Sequence, residues 1–251
     1  MKSKIEINSD AIMLRKKMGE DSMSPVDVFS LLGNNNRLTL VFYPFTKQIS
    51  GMCVRIAGDS LVAINSTLSV GRQRYTAAHE LYHLYFETDL VNTICETQFA
   101  DRKPVSEKEA DMFASYFLAP YDALKYYIRE ELKIEPKQIT SEDIIRIEQH
   151  FQMSRQATLY RLINEGYISK EFAEKNKHHV IQSAQKMGYD ATLYLPPSTD
   201  FQYNTSGNYI KMVEKLNDAS LITTGKYEEL LIDAFRTDIV YGLVEEVEDY
   251  D

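Results

Sequence analysis

Two histidines and a glutamate in the segment His79-Glu80-Leu81-Tyr82-His83 have the spacing of a metal-dependent hydrolytic site. On a helix, residues four apart project from the same face, so the imidazoles of His79 and His83 could take two adjacent corners of a zinc tetrahedron. Glu80 lies one step around the helix, where its carboxylate can reach a water at the metal. This position makes Glu80 the candidate general base.

A third ligand is expected, because a catalytic zinc usually has three protein ligands and one open position. Residues 106–114 supply it from a second predicted helix. Glu107 and Asp111 are four apart on one face of that helix. Glu107 is the predicted ligand, and Asp111 is predicted to accept a proton from a ligating histidine. Glu109 is the alternative ligand, although its place three residues after Ser106 also suits a helix capping box.

An ordinary amphipathic helix is the competing interpretation of the two histidines. Ala77, Ala78, Leu81 and Leu84 do give this segment an apolar face. A helix that only packs has no need to place His, Glu and His together, however. With only five histidines in the chain, a chance occurrence of the pattern has odds of roughly one in a hundred. The spacing therefore favours the metal site.

The elements around this segment predict an α+β fold. A helix over 72–87 carries the histidines, a helix over 107–118 carries the third ligand, and residues 88–104 between them are predicted to be a loop. Three short strands precede the first helix, and Gly58-Asp59 is the expected hairpin turn. The predicted strands cover residues 38–44, 49–57 and 60–65. We therefore expect a small antiparallel sheet with a zincin-like helical layer.

Composition and charge narrow the classes of protein to which the chain can belong. The formal net charge of −9 disfavours avid binding to nucleic acid, because an acidic chain repels phosphate backbones. The two cysteines, Cys53 and Cys95, are far apart in the sequence, which is typical of a reducing compartment. The N-terminus lacks a signal peptide, and no apolar run is long enough for a membrane helix. These features predict a cytoplasmic protein with no membrane partner.

The two motifs together resemble the ImmA/IrrE family of metallopeptidases. The first is H-E-L-Y-H at 79–83, and the second is E-K-E-A-D-M-F-A-S-Y-F-L-A-P at 107–120. The stretch 71–78 also fits the family's sequence ahead of its zinc helix. The resemblance covers residues 20–170, whereas the C-terminal 80 residues show little of it. Ala119-Pro120 stands where the family more often has Met-Pro, a difference that affects packing rather than chemistry.

This resemblance implies both a ligand set and a substrate class. It places zinc on His79, His83 and Glu107 and makes Glu80 the base. Similar proteins cut a partner transcriptional repressor, which relieves repression under stress or on induction of a mobile element. We therefore expect a zinc endopeptidase whose substrate is an intracellular helix–turn–helix repressor. The alternative is a non-catalytic zinc-containing regulator or DNA-binding sensor, whose structural zinc site would normally be closed by four protein ligands.

Three regions follow from this interpretation. They are a zinc metallopeptidase domain over 1–135, a helix–turn–helix-like region over 136–170 and a C-terminal region over 171–251. Within 141–168, the tip Ser154-Arg155-Gln156 together with Arg161 could read a major groove. Acidic residues flank this tip, so we favour a helical packing module or a docking surface for the repressor. Nucleic acid remains the less favoured partner of these residues.

Two further expectations concern substrate and catalysis. An extended substrate could add to an exposed edge of the sheet, and the predicted strands over 49–57 and 60–65 are the candidate edges. A donor must also stabilise the oxyanion of the tetrahedral intermediate. The sequence offers several donors without choosing among them: Tyr75, Tyr82, Tyr85, His150, His178 and His179.

Overall fold

The computed structural model describes residues 1–87, 92–96, 104–135 and 138–242, with backbone alone at 92–96 and 200. Within these residues the chain forms one five-stranded sheet and twelve α-helices. The strands are β1 (Leu38–Tyr43), β2 (Ile49–Ile56), β3 (Asp59–Asn65), β4 (Asn92–Glu96) and β5 (Asn204–Gly207). The α+β class predicted from the sequence is confirmed.

The helices lie before, between and after the strands. Those of the first half are α1 (Lys4–Lys17), α2 (Val28–Asn34), α3 (Val70–Phe86), α4 (Val105–Leu118) and α5 (Tyr121–Tyr126), which continues as a π-helical turn over Tyr127–Glu131. Those of the second half are α6 (Ser141–Phe151), α7 (Arg155–Asn164), α8 (Lys170–Lys175), α9 (Val180–Lys186), α10 (Asn208–Asp218), α11 (Thr224–Asp233) and α12 (Thr237–Tyr241). None of the helices in the described part of the chain is long and apolar enough to cross a membrane.

The sheet is mixed rather than purely antiparallel, with the strand order β4-β2-β3-β1-β5. β2 and β3 form the predicted hairpin, but its two-residue turn is Ala57-Gly58, where both residues have positive φ as a type I′ turn requires. β1 runs parallel to β3, with Leu38 opposite Ser60. This pairing corrects the expected antiparallel sheet. Periodicity shows which residues form strands but does not reveal which strands become neighbours.

A strand lies within the segment that was predicted to be a loop. β4 pairs antiparallel with β2, and Met52 stands opposite Ile94. The prediction of a loop over 88–104 is therefore wrong at 92–96, while residues 88–91 and 97–103 lie outside the described part of the chain. Partner strand β2 stabilises an extended segment here that the local sequence did not indicate.

α3 is the central helix of the fold. It packs on β2 and β3 on one side and on α4 on the other, and α1 covers α4. Almost every residue from Gly71 to Leu84 is buried, so α3 has no broad solvent face. Its Ala-rich and Leu-containing middle favours a helix and lets the sheet and α4 approach closely.

The buried core continues from α1 into the helix–turn–helix region. Ile7 on α1, Phe117 on α4 and Ile147 on α6 belong to the same apolar cluster. Beyond it, β5 adds to β1, so part of the C-terminal region completes the sheet. The boundaries near 135 and 170 stay predictions.

Candidate metal centre

The two histidines of α3 face each other within the core. His79 and His83 are separated by one helical turn, and their Nε2 atoms lie 3.1 Å apart. Both side chains are buried, with 4% and 1% of their surface exposed. Two buried imidazoles that converge through their Nε2 atoms form an arrangement that a metal ion can bridge.

Glu107 reaches the same point from the first turn of α4. Its Oε2 lies 3.4 Å from Nε2 of His79, and its Oε1 lies 3.3 Å from Nε2 of His83. Zinc bonds of about 2.0–2.1 Å in a tetrahedron place neighbouring ligand atoms roughly 3.3–3.4 Å apart. The two contacts use different oxygens of Glu107, and one ligand atom from each of the three side chains lies within 4.8 Å of the others, which is close enough to bind a metal.

Glu109, the alternative ligand, turns away from this cluster. Its Oε2 accepts a hydrogen bond of 2.7 Å from the hydroxyl of Tyr82, and its Oε1 accepts one from the backbone N–H of Lys2. The expected capping box with Ser106 is also wrong, because α4 begins at Val105 without any side-chain cap. Lys2, which precedes α1, and Tyr82 on α3 therefore bind the carboxylate that was expected to serve a local capping box.

A carboxylate lies near the far nitrogen of each imidazole. Asp111 Oδ1 lies 3.0 Å from Nδ1 of His79 in a hydrogen bond, whereas Glu87 Oε2 lies 3.1 Å from Nδ1 of His83 without the alignment of one. The contact with Asp111 favours the tautomer of His79 with the proton on Nδ1, which leaves the lone pair of Nε2 for a metal. The place of Asp111 beside His79 was predicted from the sequence, whereas that of Glu87 beside His83 was not. Glu87 follows His83 by four residues at the end of α3, and this spacing could have indicated the contact.

The electrostatics of the cluster suit a cation. Burial disfavours the protonated form of His79, but hydrogen bonds to Asp111 and Glu107 outweigh it and raise the pKa of this imidazole to about 9. Burial also opposes ionisation of Glu107, yet its contacts with the two histidines hold its pKa well below the usual range. The surrounding carboxylates therefore stabilise positive charge at this point, which a bound metal would supply.

Glu80 occupies the interface between α3 and the sheet. Its side chain is fully buried, and its charge contributes to the raised pKa of His79. A Cβ added to Gly51 on β2 would lie 3.1 Å from Oε1 of Glu80 and 2.6 Å from Cγ2 of Thr76. Only glycine at this position lets β2 pass so close to the carboxylate. Glycine inside a strand is a sequence signal of such close approach, and Gly51 was the residue that could have indicated it.

Cys53 lies two residues further along β2 and beside the same carboxylate. Its thiol is fully buried, as a small apolar residue would be. Burial and the negative charge of Glu80 raise the pKa of this thiol well above its ordinary range. Cys53 is therefore protonated at neutral pH beside the carboxylate of Glu80.

Most of the candidate oxyanion donors are engaged elsewhere. The hydroxyl of Tyr75 donates to the backbone carbonyl of Asp111 at 2.6 Å, and that of Tyr82 donates to Glu109. The ring of His150 stacks on Tyr127 with centroids 3.8 Å apart. The hydroxyl of Tyr85 accepts a hydrogen bond from the side-chain amide of Asn35. The two remaining candidates, His178 and His179, line a cavity beside α7.

The arginines of the predicted DNA-reading tip are buried in ion pairs. Arg155 binds the fully buried Glu148 through two nitrogens and also donates to the carbonyl of Asn176. Arg161 donates to Glu165 at 3.0 Å and is 2% exposed. Neither guanidinium is presented for a groove, which supports the interpretation of α6 and α7 as a packing or docking module.

Comparison with known protein families agrees with this geometry. The IrrE N-terminal-like domain, peptidase family M78, matches residues 38–163, half of the chain. The matched span contains the three clustered side chains, Glu80 and Asp111. A comparison with curated proteins finds no significant match. The chain therefore belongs to the M78 family and is a metallopeptidase of the ImmA/IrrE type.

Proposed function

We propose that the protein is a zinc-dependent endopeptidase that cleaves one intracellular partner, a helix–turn–helix transcriptional repressor, in a stress response or in control of a mobile element. The observation that carries the zinc chemistry is the convergence of His79, His83 and Glu107, with one ligand atom from each within 4.8 Å of the others. The repressor as substrate rests on membership of the M78 family together with the resemblance of the motif pair.

The ligand set fits zinc by chemistry as well as by distance. Two neutral imidazoles and one carboxylate form a common ligand set of catalytic zinc. When bound, zinc supplies Lewis-acid chemistry, which makes water nucleophilic near neutral pH and polarises the scissile carbonyl. Asp111 would hold His79 in the ligating tautomer through its contact with Nδ1.

Glu80 is proposed to be the proton carrier. Its carboxylate would accept a proton from the attacking water and pass it to the leaving amine. The wall formed by Gly51 and Cys53 of β2 fixes the carboxylate from behind, so its position is set by the fold before substrate arrives. A base held rigidly near the reacting atoms loses little orientational freedom when the reaction begins.

The substrate strand is proposed to pair with β4. The strands first considered, β2 and β3, lie inside the sheet and present no free edge, so that expectation is corrected. In the described sheet, β4 is the outer strand next to β2, and α3 packs against β2. An extended peptide added there by backbone hydrogen bonds would run along the side of the sheet nearest Glu80.

The competing function is a non-catalytic zinc-containing regulator. A structural zinc normally has four protein ligands. Among the described residues, one group of three side chains, His79, His83 and Glu107, lies within metal-ligand distance. Three protein ligands leave the fourth position of a tetrahedral zinc open to water. A buried glutamate beside that trio has no use in a purely structural site. Both features favour catalysis.

The test separates chemistry from metal binding. Zinc-loaded wild-type protein, Glu80→Gln and Glu109→Gln are incubated with a panel of helix–turn–helix repressors from the same organism, and fragments are identified by mass spectrometry. We expect one repressor to be cut at a defined site by the wild type and by Glu109→Gln, and to stay intact with Glu80→Gln, which keeps its zinc. Equal cleavage by Glu80→Gln would refute the role of Glu80 as the general base. Cleavage of other proteins but of none of the repressors would refute the substrate class.

A further inference from the structure

The cavity beside α7 that His178 and His179 line extends to the N-terminal end of α3, away from the metal ligands. Its volume is about 640 Å³, and its walls are the start of α3, the start of α7 and residues 177–182. Arg72 in this wall precedes His79 by seven residues, roughly 10 Å along the helix axis. The volume lies within the range of small-molecule sites in proteins.

The lining of this cavity is basic, although the chain as a whole carries a net charge of −9. Five side chains that are or can become cationic line it: Arg72, Arg155, Lys177, His178 and His179. No aspartate or glutamate is found among the lining residues in the described part of the chain. The remaining polar lining includes hydroxyl and amide groups that can donate, namely Ser69, Ser154, Gln156 and Gln182, whereas the hydroxyl of Tyr194 already donates to Glu148.

The charges of the lining are compensated to different degrees. Glu148 neutralises Arg155 from beneath, so this guanidinium forms a fixed part of the wall. Lys177 has an ion pair of 3.3 Å with Glu174, but both side chains are largely exposed, and such a pair is weak and easily replaced. Arg72 is half-buried, and burial lowers the pKa of its guanidinium.

The walls are fixed by close packing. A Cβ on Gly71 would lie 2.9 Å from the backbone nitrogen of Ser154 and 3.0 Å from Cδ1 of Leu193. The backbone N–H of Val70 donates to the carbonyl of Leu195 at 3.0 Å. These contacts join the starts of α3 and α7 without room for adjustment, so the cavity is formed before any ligand arrives.

We propose that this cavity binds a phosphate-bearing small molecule of nucleotide size. Arginine, lysine and hydroxyl donors together match the oxygens of a phosphate or diphosphate, and the volume exceeds what one inorganic ion would fill. Duplex nucleic acid is disfavoured, because Arg155 is withdrawn into its pair with Glu148 and the chain is acidic. The site is independent of the proposed peptidase chemistry.

Calorimetric titration of the full chain tests this proposal, with ADP, inorganic pyrophosphate, adenosine and a short DNA duplex as probes. ADP or pyrophosphate should bind and adenosine should not. The double variant Lys177→Gln/His178→Gln and the single variant Arg72→Gln should each weaken binding at least about tenfold, since each removes charge-assisted hydrogen bonds. Lys175→Gln, which removes the same charge two residues from the lining, should bind as the wild type does.

The metal-free variant His83→Ala separates this site from the metal centre. Phosphates also coordinate zinc, so binding that disappears in His83→Ala would overturn the proposal by assigning the ligand to the metal. Binding retained in this variant would support the cavity even if no peptidase activity is ever found. The proposal is equally overturned if ADP and pyrophosphate do not bind, if adenosine binds as well as ADP, if the lining variants bind normally, or if the DNA duplex alone binds.

Discussion

Replacement of Asp111 should weaken zinc binding without unfolding the protein. The Asp111 carboxylate is 7% exposed and lies 3.0 Å from Nδ1 of His79, so it holds the ligating tautomer through a buried, charge-assisted contact. Loss of such a contact typically costs 10–100-fold in metal affinity, or about 1.4–2.7 kcal/mol. Asp111→Ala should approach the upper figure. Asp111→Asn should stay near the lower one, because its amide oxygen can still accept from the imidazole.

Competition with a chromophoric zinc chelator measures this affinity directly and needs no peptide substrate. Glu109→Gln is the matched control, because it changes a carboxylate on the same helix that contacts Tyr82 instead of a histidine. Its zinc affinity should be that of the wild type, and thermal unfolding of the metal-free variants should confirm that each one folds. If Asp111→Ala bound zinc within about twofold of the wild type, the assigned role of the carboxylate would be wrong. A tenfold loss in Glu109→Gln would instead restore Glu109 as a ligand.

Three further predictions concern protons, positioning and stability. Zinc affinity should rise with pH from about 7 to about 9 and then level off, because the metal must displace the proton of His79, whose pKa is raised to about 9; equal affinities at both pH values would contradict this. Gly51→Ala should keep zinc but slow cleavage by about tenfold or more, because its Cβ would lie 3.1 Å from the Glu80 carboxylate. Gly33→Ala, whose Cβ would meet its nearest neighbour at 3.7 Å, is the control, and equal rates in the two variants would exclude the positioning role. Glu148→Ala should lower the free energy of unfolding by about 3–5 kcal/mol in urea denaturation, since it leaves a buried arginine uncompensated; a loss below about 1 kcal/mol would show that water or another group compensates it.

The sequence by itself determined the parts of the site that lie on single helices. Residues four apart on a helix must share a face, so the relation of His79 to His83 and that of Glu107 to Asp111 followed from spacing. The α+β class and the β2–β3 hairpin followed from periodicity and turn residues in the same way. Each of these inferences rests on interactions between residues close in the chain.

Only the tertiary structure decided how these pieces meet. The parallel pairing of β1 with β3, the addition of β4 to β2 and the closeness of Gly51 to Glu80 join segments that are distant in the sequence. The same is true of Glu109, which the sequence could place at a helix start but not beside Tyr82. Arg155 and Arg161 could have been surface residues until the packing of α7 against its neighbours buried them. Local propensity fixes the direction of a side chain on its own element, whereas its partner is fixed by the packing of the whole core, which no single segment encodes.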